Sequence, residues 1–71
     1  MKYFYEYKYL NGSKFGGHNL EKILINENNV LLIGIDKIRF ESEIYEEPFN
    51  IYIDMSEIEY LKIEPMKEVE E

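Results

Sequence analysis

Apolar and polar residues alternate over much of the chain, with a period of two. Residues 3–9 read YFYEYKY, which puts Tyr3, Tyr5, Tyr7 and Tyr9 on one face of a strand and Phe4, Glu6 and Lys8 on the other. This first strand is expected to span Lys2 to Leu10 and to end at Asn11-Gly12. That dipeptide tolerates positive φ at both positions and predicts a type I′ hairpin turn. A returning strand starts at Ser13-Lys14-Phe15, with Gly16-Gly17 expected to break it as a bulge or a loop. Leu20, Ile23 and Leu24 have helical spacing behind a possible Asn19 cap. Against that, KILIN, Glu27-Asn28-Asn29 and VLLIGI read as strand, turn and strand, and the β-branched content favours strands.

Val30 to Ile35 is a continuous apolar run, as expected of a strand central in its sheet. Gly34 and Asp36-Lys37 predict a tight turn or bulge after it. Beyond them Ile38, Phe40 and Ile44 are expected on one face, and Arg39, Glu41, Glu43 and Tyr45 on the other. Glu46-Glu47-Pro48 reads as a loop. Phe49, Ile51 and Ile53 then alternate with Asn50, Tyr52 and Asp54. Asp54-Met55-Ser56-Glu57 resembles a capping box that starts one helical turn. The competing reading is a bend into a last strand, Ile58 to Glu64, closed by Pro65.

The fold expected from these elements is mostly β: a small antiparallel meander of five or six strands. It would form a curved sheet or half-open barrel with at most one or two short helical turns. One β-rich domain is expected over residues 1–65, followed by an acidic tail over 66–71. The stretch from Val30 to Ile63, ending in IYIDMSEIEYLKI, resembles the strand–turn–strand rhythm of bacterial PH-like domains, a pattern common to many β-proteins.

Composition sharpens the picture. Alanine, the best helix former, is absent, while isoleucine and tyrosine are abundant. The chain also lacks threonine, glutamine, cysteine and tryptophan, and its preferred residues are those of AT-rich codons, which points to a low-GC genome. Without cysteine there is no disulfide and no thiolate metal site. No apolar stretch is long enough for a membrane span and MKYFYEYKYL lacks a signal-peptide profile, so a cytoplasmic protein is expected.

Charge is distributed unevenly. Met1 to Arg39 carries a net +2 and Phe40 to Glu71 a net −9, which together make the overall −7. So acidic a chain is a poor match for direct nucleic-acid contact, which needs lysine and arginine against phosphate. Its acidic half is suited to a basic protein surface.

The candidate chemistry follows from these features. The tyrosine row is the more apolar face of its strand and is expected to fill the core, its hydroxyls reaching the rim. The competing reading is a stacking platform for a base, a sugar or partner side chains. Glu41 and Glu43 are expected as a pair on one strand face, ~6.6–6.8 Å apart, with Glu46, Glu47, Glu57 and Glu59 extending the acidic surface. Tyr45, Tyr52 and Tyr60 lie on the expected outer faces, where amphipathic rings anchor interfaces. A metal site would have to use Asp36 or Glu46-Glu47, and no calcium-loop pattern surrounds them. His18 is the only histidine, and no nucleophile elbow, P-loop or dinucleotide fingerprint is present. No cofactor and no catalysis are expected.

The functional expectation is therefore a non-enzymatic protein-binding module. Its most concrete form is an acidic inhibitor or decoy, from a phage or other mobile element or immunity- or antitoxin-like. It would cover a basic nucleic-acid-binding surface with Glu41, Glu43, Tyr45, Glu46, Glu47, Tyr52, Glu57, Glu59 and Tyr60. The alternatives are a small-molecule or nucleotide binder that uses the first strand, and an accessory subunit of a larger assembly.

Overall fold

A computed structural model describes residues 1–67, which form five antiparallel strands. They are β1 (Tyr3–Tyr9), β2 (Lys14–Asn26), β3 (Asn29–Phe40), β4 (Glu43–Asp54) and β5 (Ile58–Pro65), with a 3₁₀ turn at Met55–Glu57 before the last strand. The strands make one sheet in the order β4-β3-β2-β1-β5. It is curved and unclosed, as the alternation pattern anticipates. No described helix is long and apolar enough to cross a membrane.

The curvature brings residues of both outer strands, β4 and β5, into one core. Tyr7, Leu20, Val30, Leu32, Ile53 and Ile58 form the buried core, and every strand contributes to it. Ile53 lies one residue before the end of β4 at one edge of the sheet, and Ile58 begins β5 at the other. The 3₁₀ turn carries the chain between those edges. Met55 N–H bonds to the Asn28 carbonyl at 2.7 Å, and Leu10 N–H bonds to the Glu57 carbonyl at 3.0 Å. Asp54 caps the turn by accepting from Ser56 N–H at 3.0 Å and from the Ser56 hydroxyl at 2.7 Å. These bonds hold the Asp54 carboxyl below its ordinary value. Both readings of residues 54–60 therefore hold in succession: one helical turn, then a strand.

The four tyrosines of β1 face this core. Tyr7 is buried, and Tyr3, Tyr5 and Tyr9 pack against the cluster. Tyr7 is stacked on Tyr5 at 6.3 Å and on Phe15 at 5.6 Å, and meets Tyr9 edge-on at 5.7 Å. Burial, with the neighbouring phenols second, raises the Tyr7 hydroxyl above its ordinary pKa. The row that opened the sequence is a wall of the core, its rings occupied by one another.

Several local expectations need correction. The β1–β2 turn is not type I′. Only Gly12 takes positive φ, at 96°, while Gly12 N–H bonds to Tyr9 O and Tyr9 N–H to Ser13 O. This is a three-residue loop with a glycine bulge, steadied by Ser13 N–H on the Asn11 side chain at 2.9 Å. Gly16 and Gly17 do not break β2; they pair with Glu6 and Tyr5. The register against β1 slips just after them, between the Tyr5–Gly17 and Tyr3–Leu20 pairs, where Asn19 adopts φ 64°, and a second slip against β3 lies between Leu20 and Lys22. Residues 20–26 are strand, without the helical alternative. Gly34 and Asp36-Lys37 do not interrupt β3, and Glu46-Glu47-Pro48 lies inside β4 rather than in a loop. Residues 68–71 of the expected tail fall outside the described residues. Met66 is tied back by its N–H to Lys2 O at 2.8 Å.

The solvent face of β1 and β5 holds a small polar network. Tyr60 donates to Glu6 at 2.7 Å, Lys14 stands 3.6 Å from the same carboxylate, and Lys8 pairs with Glu59 at 3.3 Å. The Tyr60 bond, helped by Lys14 and Lys62, holds the Glu6 carboxyl below its ordinary 4.5 against the opposing effect of desolvation. A depressed folded pKa stabilises above the unfolded value and ceases to do so as pH falls through the folded one. In acid denaturation below pH 4.5, Glu6→Gln should therefore lose less stability than the wild type over the same interval. Parallel pH–urea curves for the two proteins would contradict this.

Candidate protein-docking site

The β2–β3 pairing ends at Leu20 with Gly34, because the Lys14–Gly17 end of β2 turns away to pair with β1. The β3–β4 pairing continues for the full length of both strands, from Asn29–Asp54 to Phe40–Glu43. Residues 35–40 and 43–48 are therefore bonded only to each other. They form a two-stranded ribbon that projects beyond the five-stranded sheet of a molecule 42 × 25 × 23 Å in extent. Four of the ribbon's large apolar side chains are exposed: Phe40 at 65%, Ile44 at 59%, Tyr45 at 50% and Ile38 at 44%. A two-stranded ribbon alone in water is marginally stable, and needs a third strand or a packed face for support.

The tight turn sets which side chains share a face. Phe40 pairs directly with Glu43 across Glu41-Ser42, and Glu41 takes φ 59° in that turn. Directly paired residues of an antiparallel ladder lie on the same side. Asp36, Ile38, Phe40, Glu43, Tyr45 and Glu47 therefore occupy the face continuous with the core. Ile35, Lys37, Arg39, Ile44, Glu46 and Pro48 occupy the other. The expected grouping of Ile38 and Phe40 with Ile44 is corrected: Ile44 is opposite Arg39, on the far side. The expected Glu41–Glu43 face pair is corrected too, because Glu41 belongs to the turn.

The sequence candidates thus fall in three places. Glu41, Glu43, Tyr45, Glu46 and Glu47 cluster on the ribbon and its tip. Within that group Glu46 faces away from the rest, directly opposite Lys37, and Tyr45 donates a hydrogen bond to Glu43 that raises its phenol pKa. Tyr52 is exposed near the other end of β4, nine residues or roughly 30 Å along the strand from Glu43. Glu57 sits in the 3₁₀ turn, Glu59 pairs with Lys8, and Tyr60 is engaged with Glu6. Of all these candidates only Glu43, Tyr45 and Glu47 share one face.

Sequence reasoning missed three members of that surface. Ile38 and Phe40 were expected only as one strand face shared with Ile44, and Asp36 as a turn or bulge residue or a metal ligand. The signal that would have found them is the length of the β4 alternation, which needs a partner strand extending as far as Phe40. Among the described residues no group of three His, Asp or Glu side chains converges on a metal position. None of the ribbon's charged residues makes an ion pair among the described residues, whose three pairs all lie on β1, β2 and β5. Comparison with known proteins adds no functional information: no protein-family model, no curated protein and no solved structure matches the chain.

Proposed function

We propose that the protein is a non-enzymatic protein-binding module that docks through the β3–β4 ribbon on a basic partner surface. Its most concrete form is an inhibitor that covers a nucleic-acid-binding groove. The observation that carries this reading is the projecting ribbon, with four large apolar side chains exposed on two strands that nothing else supports. The charge supports the sign of the partner. The ribbon and its tip hold Asp36, Glu41, Glu43, Glu46 and Glu47 against Lys37 and Arg39, within a chain of net −7. Glu59 and Tyr60, engaged within the fold, and Tyr52 and Glu57, which lie away from the ribbon, drop out of the proposed contact.

The test combines a ribbon variant with a stability control. Replacing Ile38, Phe40 and Tyr45 by serine removes largely exposed groups, so each change should shift folding stability by no more than about 1 kcal/mol. Binding should suffer far more, because affinity concentrates in a few aromatic and apolar anchors whose truncation costs ~2 kcal/mol or more. A partner captured by the wild type should be lost by the triple variant, and its own DNA or RNA binding should be blocked by the wild type alone. Equal retention of that partner by both proteins would end the proposal.

A further inference from the structure

The two faces of the ribbon differ in chemistry. The face continuous with the core carries Ile38 directly opposite Tyr45, with Phe40 beside them, and three carboxylates: Asp36, Glu43 and Glu47. It carries no base. The other face has Lys37 and Arg39 against the single carboxylate Glu46. From the sequence the ribbon looked uniformly acidic at its β4 end, but its pairing sorts the charges by side.

The carboxylates bracket the apolar group. Asp36 and Glu47 stand directly opposite each other at the root, and Glu43 lies four residues further along β4, about 13 Å away. Like charges directly opposite in a ladder are destabilising. Neither Asp36 nor Glu47 has a basic partner among the described ion pairs. Burial, then the charge of Asp36, raises the Tyr5 phenol, so that carboxylate also acts on the edge of the core.

We infer that this face is the docking face, and that its occupant is a basic amphipathic segment of the partner protein. The segment presents apolar side chains to Ile38, Phe40 and Tyr45, and arginine or lysine to the Asp36–Glu47 pair and to Glu43. The inference rests on the proposal that the ribbon is the docking element. A planar guanidinium suits the root especially, because its fork of N–H donors can reach two facing carboxylates. A second copy of the chain is a poor occupant, since it would bring three more carboxylates and no base to the same face.

Docking on the face also agrees with the state of the ribbon's outer edge. Two-residue loops make Asn26–Asn29 and Phe40–Glu43 hydrogen-bonded pairs, so even-numbered residues of β4 direct their backbone groups to the open edge. Pro48 is one of these and has no N–H to offer an added strand. The β4 edge is interrupted at its middle, where the ribbon joins the sheet, while the face remains free.

A suitable probe is a blocked heptapeptide, Arg-Gly-Leu-Ser-Val-Gly-Arg, titrated into ¹⁵N-labelled protein at low salt. A control peptide carries glutamate at both ends. The arginine peptide should shift amides of residues 36–47, and the control should not. The double variant Asp36→Asn/Glu47→Gln should weaken binding about tenfold or more, the equivalent of ~1.4 kcal/mol, whereas Glu46→Gln and Ile44→Ser should change it less than twofold. The reverse pattern among the variants would overturn the choice of face and leave the ribbon as the docking element. Peptide shifts confined to β1 and β5, or no shift at millimolar peptide, would overturn both. Sedimentation of the free protein as a dimer that Phe40→Ser dissociates would assign the face to a second copy and overturn the inference.

Discussion

Leu32→Ala is expected to leave much of the protein unfolded at room temperature. Leu32 is fully buried at the centre of β3, paired with Ile23 of β2 and Ile51 of β4, in a core shared with Leu20, Val30 and Ile53. Truncating a buried leucine costs ~2–5 kcal/mol, from the lost transfer free energy and the cavity left behind. A domain of this size with no disulfide holds roughly 3–5 kcal/mol in total. The single change is therefore comparable with the whole margin. Urea unfolding followed by circular dichroism measures it directly. A loss below about 1 kcal/mol would mean that the centre of stability lies elsewhere, for example in the aromatic wall of β1.

The same substitution logic separates scaffold from the proposed docking element. Phe40 is larger than Leu32, yet Phe40→Ser should barely alter stability because the ring is already mostly in water. Hydrophobic size alone therefore does not distinguish core from candidate site in this chain. Position along β3 does: residues up to Gly34 have β2 on one side and β4 on the other, and residues after it have β4 alone.

That distinction explains how far the sequence could be read. The tyrosine alternation in β1 was legible as core because it needs only the period of one strand. So were the all-β character, the antiparallel meander and the turn near Asp54, each marked by local chemistry. What was not legible depended on pairing. Gly34 and Asp36-Lys37 look like punctuation in isolation, but their place in β3 is held by a ladder running to Phe40. Glu46-Glu47-Pro48 looks like a loop, yet an edge strand tolerates both a proline and consecutive acids on its open side. The faces of the ribbon were misassigned because the Glu41-Ser42 turn, and not the run of side chains, sets the register. One residue more or fewer in that turn would exchange Ile44 for Tyr45 beside Ile38. The candidate glutamates were identified as residues, but not as a surface.

Gly34→Val should be nearly as damaging as the loss of Leu32, for the opposite reason. A Cβ on Gly34 would fall under 3.0 Å from both the Asn19 carbonyl oxygen and the ring of Phe49, a separation real Cβ atoms essentially never show. Overpacking typically costs ~1–3 kcal/mol, and here only one of the two obstacles is a side chain that can rotate away. The Asn19 carbonyl belongs to the irregular stretch of β2 with φ 64°, and it cannot retreat without disturbing the Leu20–Gly34 pair. A second change, Phe49→Leu, should therefore restore only part of the stability lost in Gly34→Val, and a full restoration would show that the backbone yields easily. Gly34 is also the last residue of β3 paired with β2, and Phe49 is its partner on β4, touching Tyr5 at 6.0 Å between ring centres. Forcing Phe49 outward loosens the point where the ribbon joins the sheet. Amide exchange in Gly34→Val should consequently rise more in residues 35–48 than in β1 and β5. Uniform acceleration across all five strands would instead mean that ribbon and sheet open as one unit. In that case the ribbon would share the full cooperativity of the core and would not be a locally separable arm.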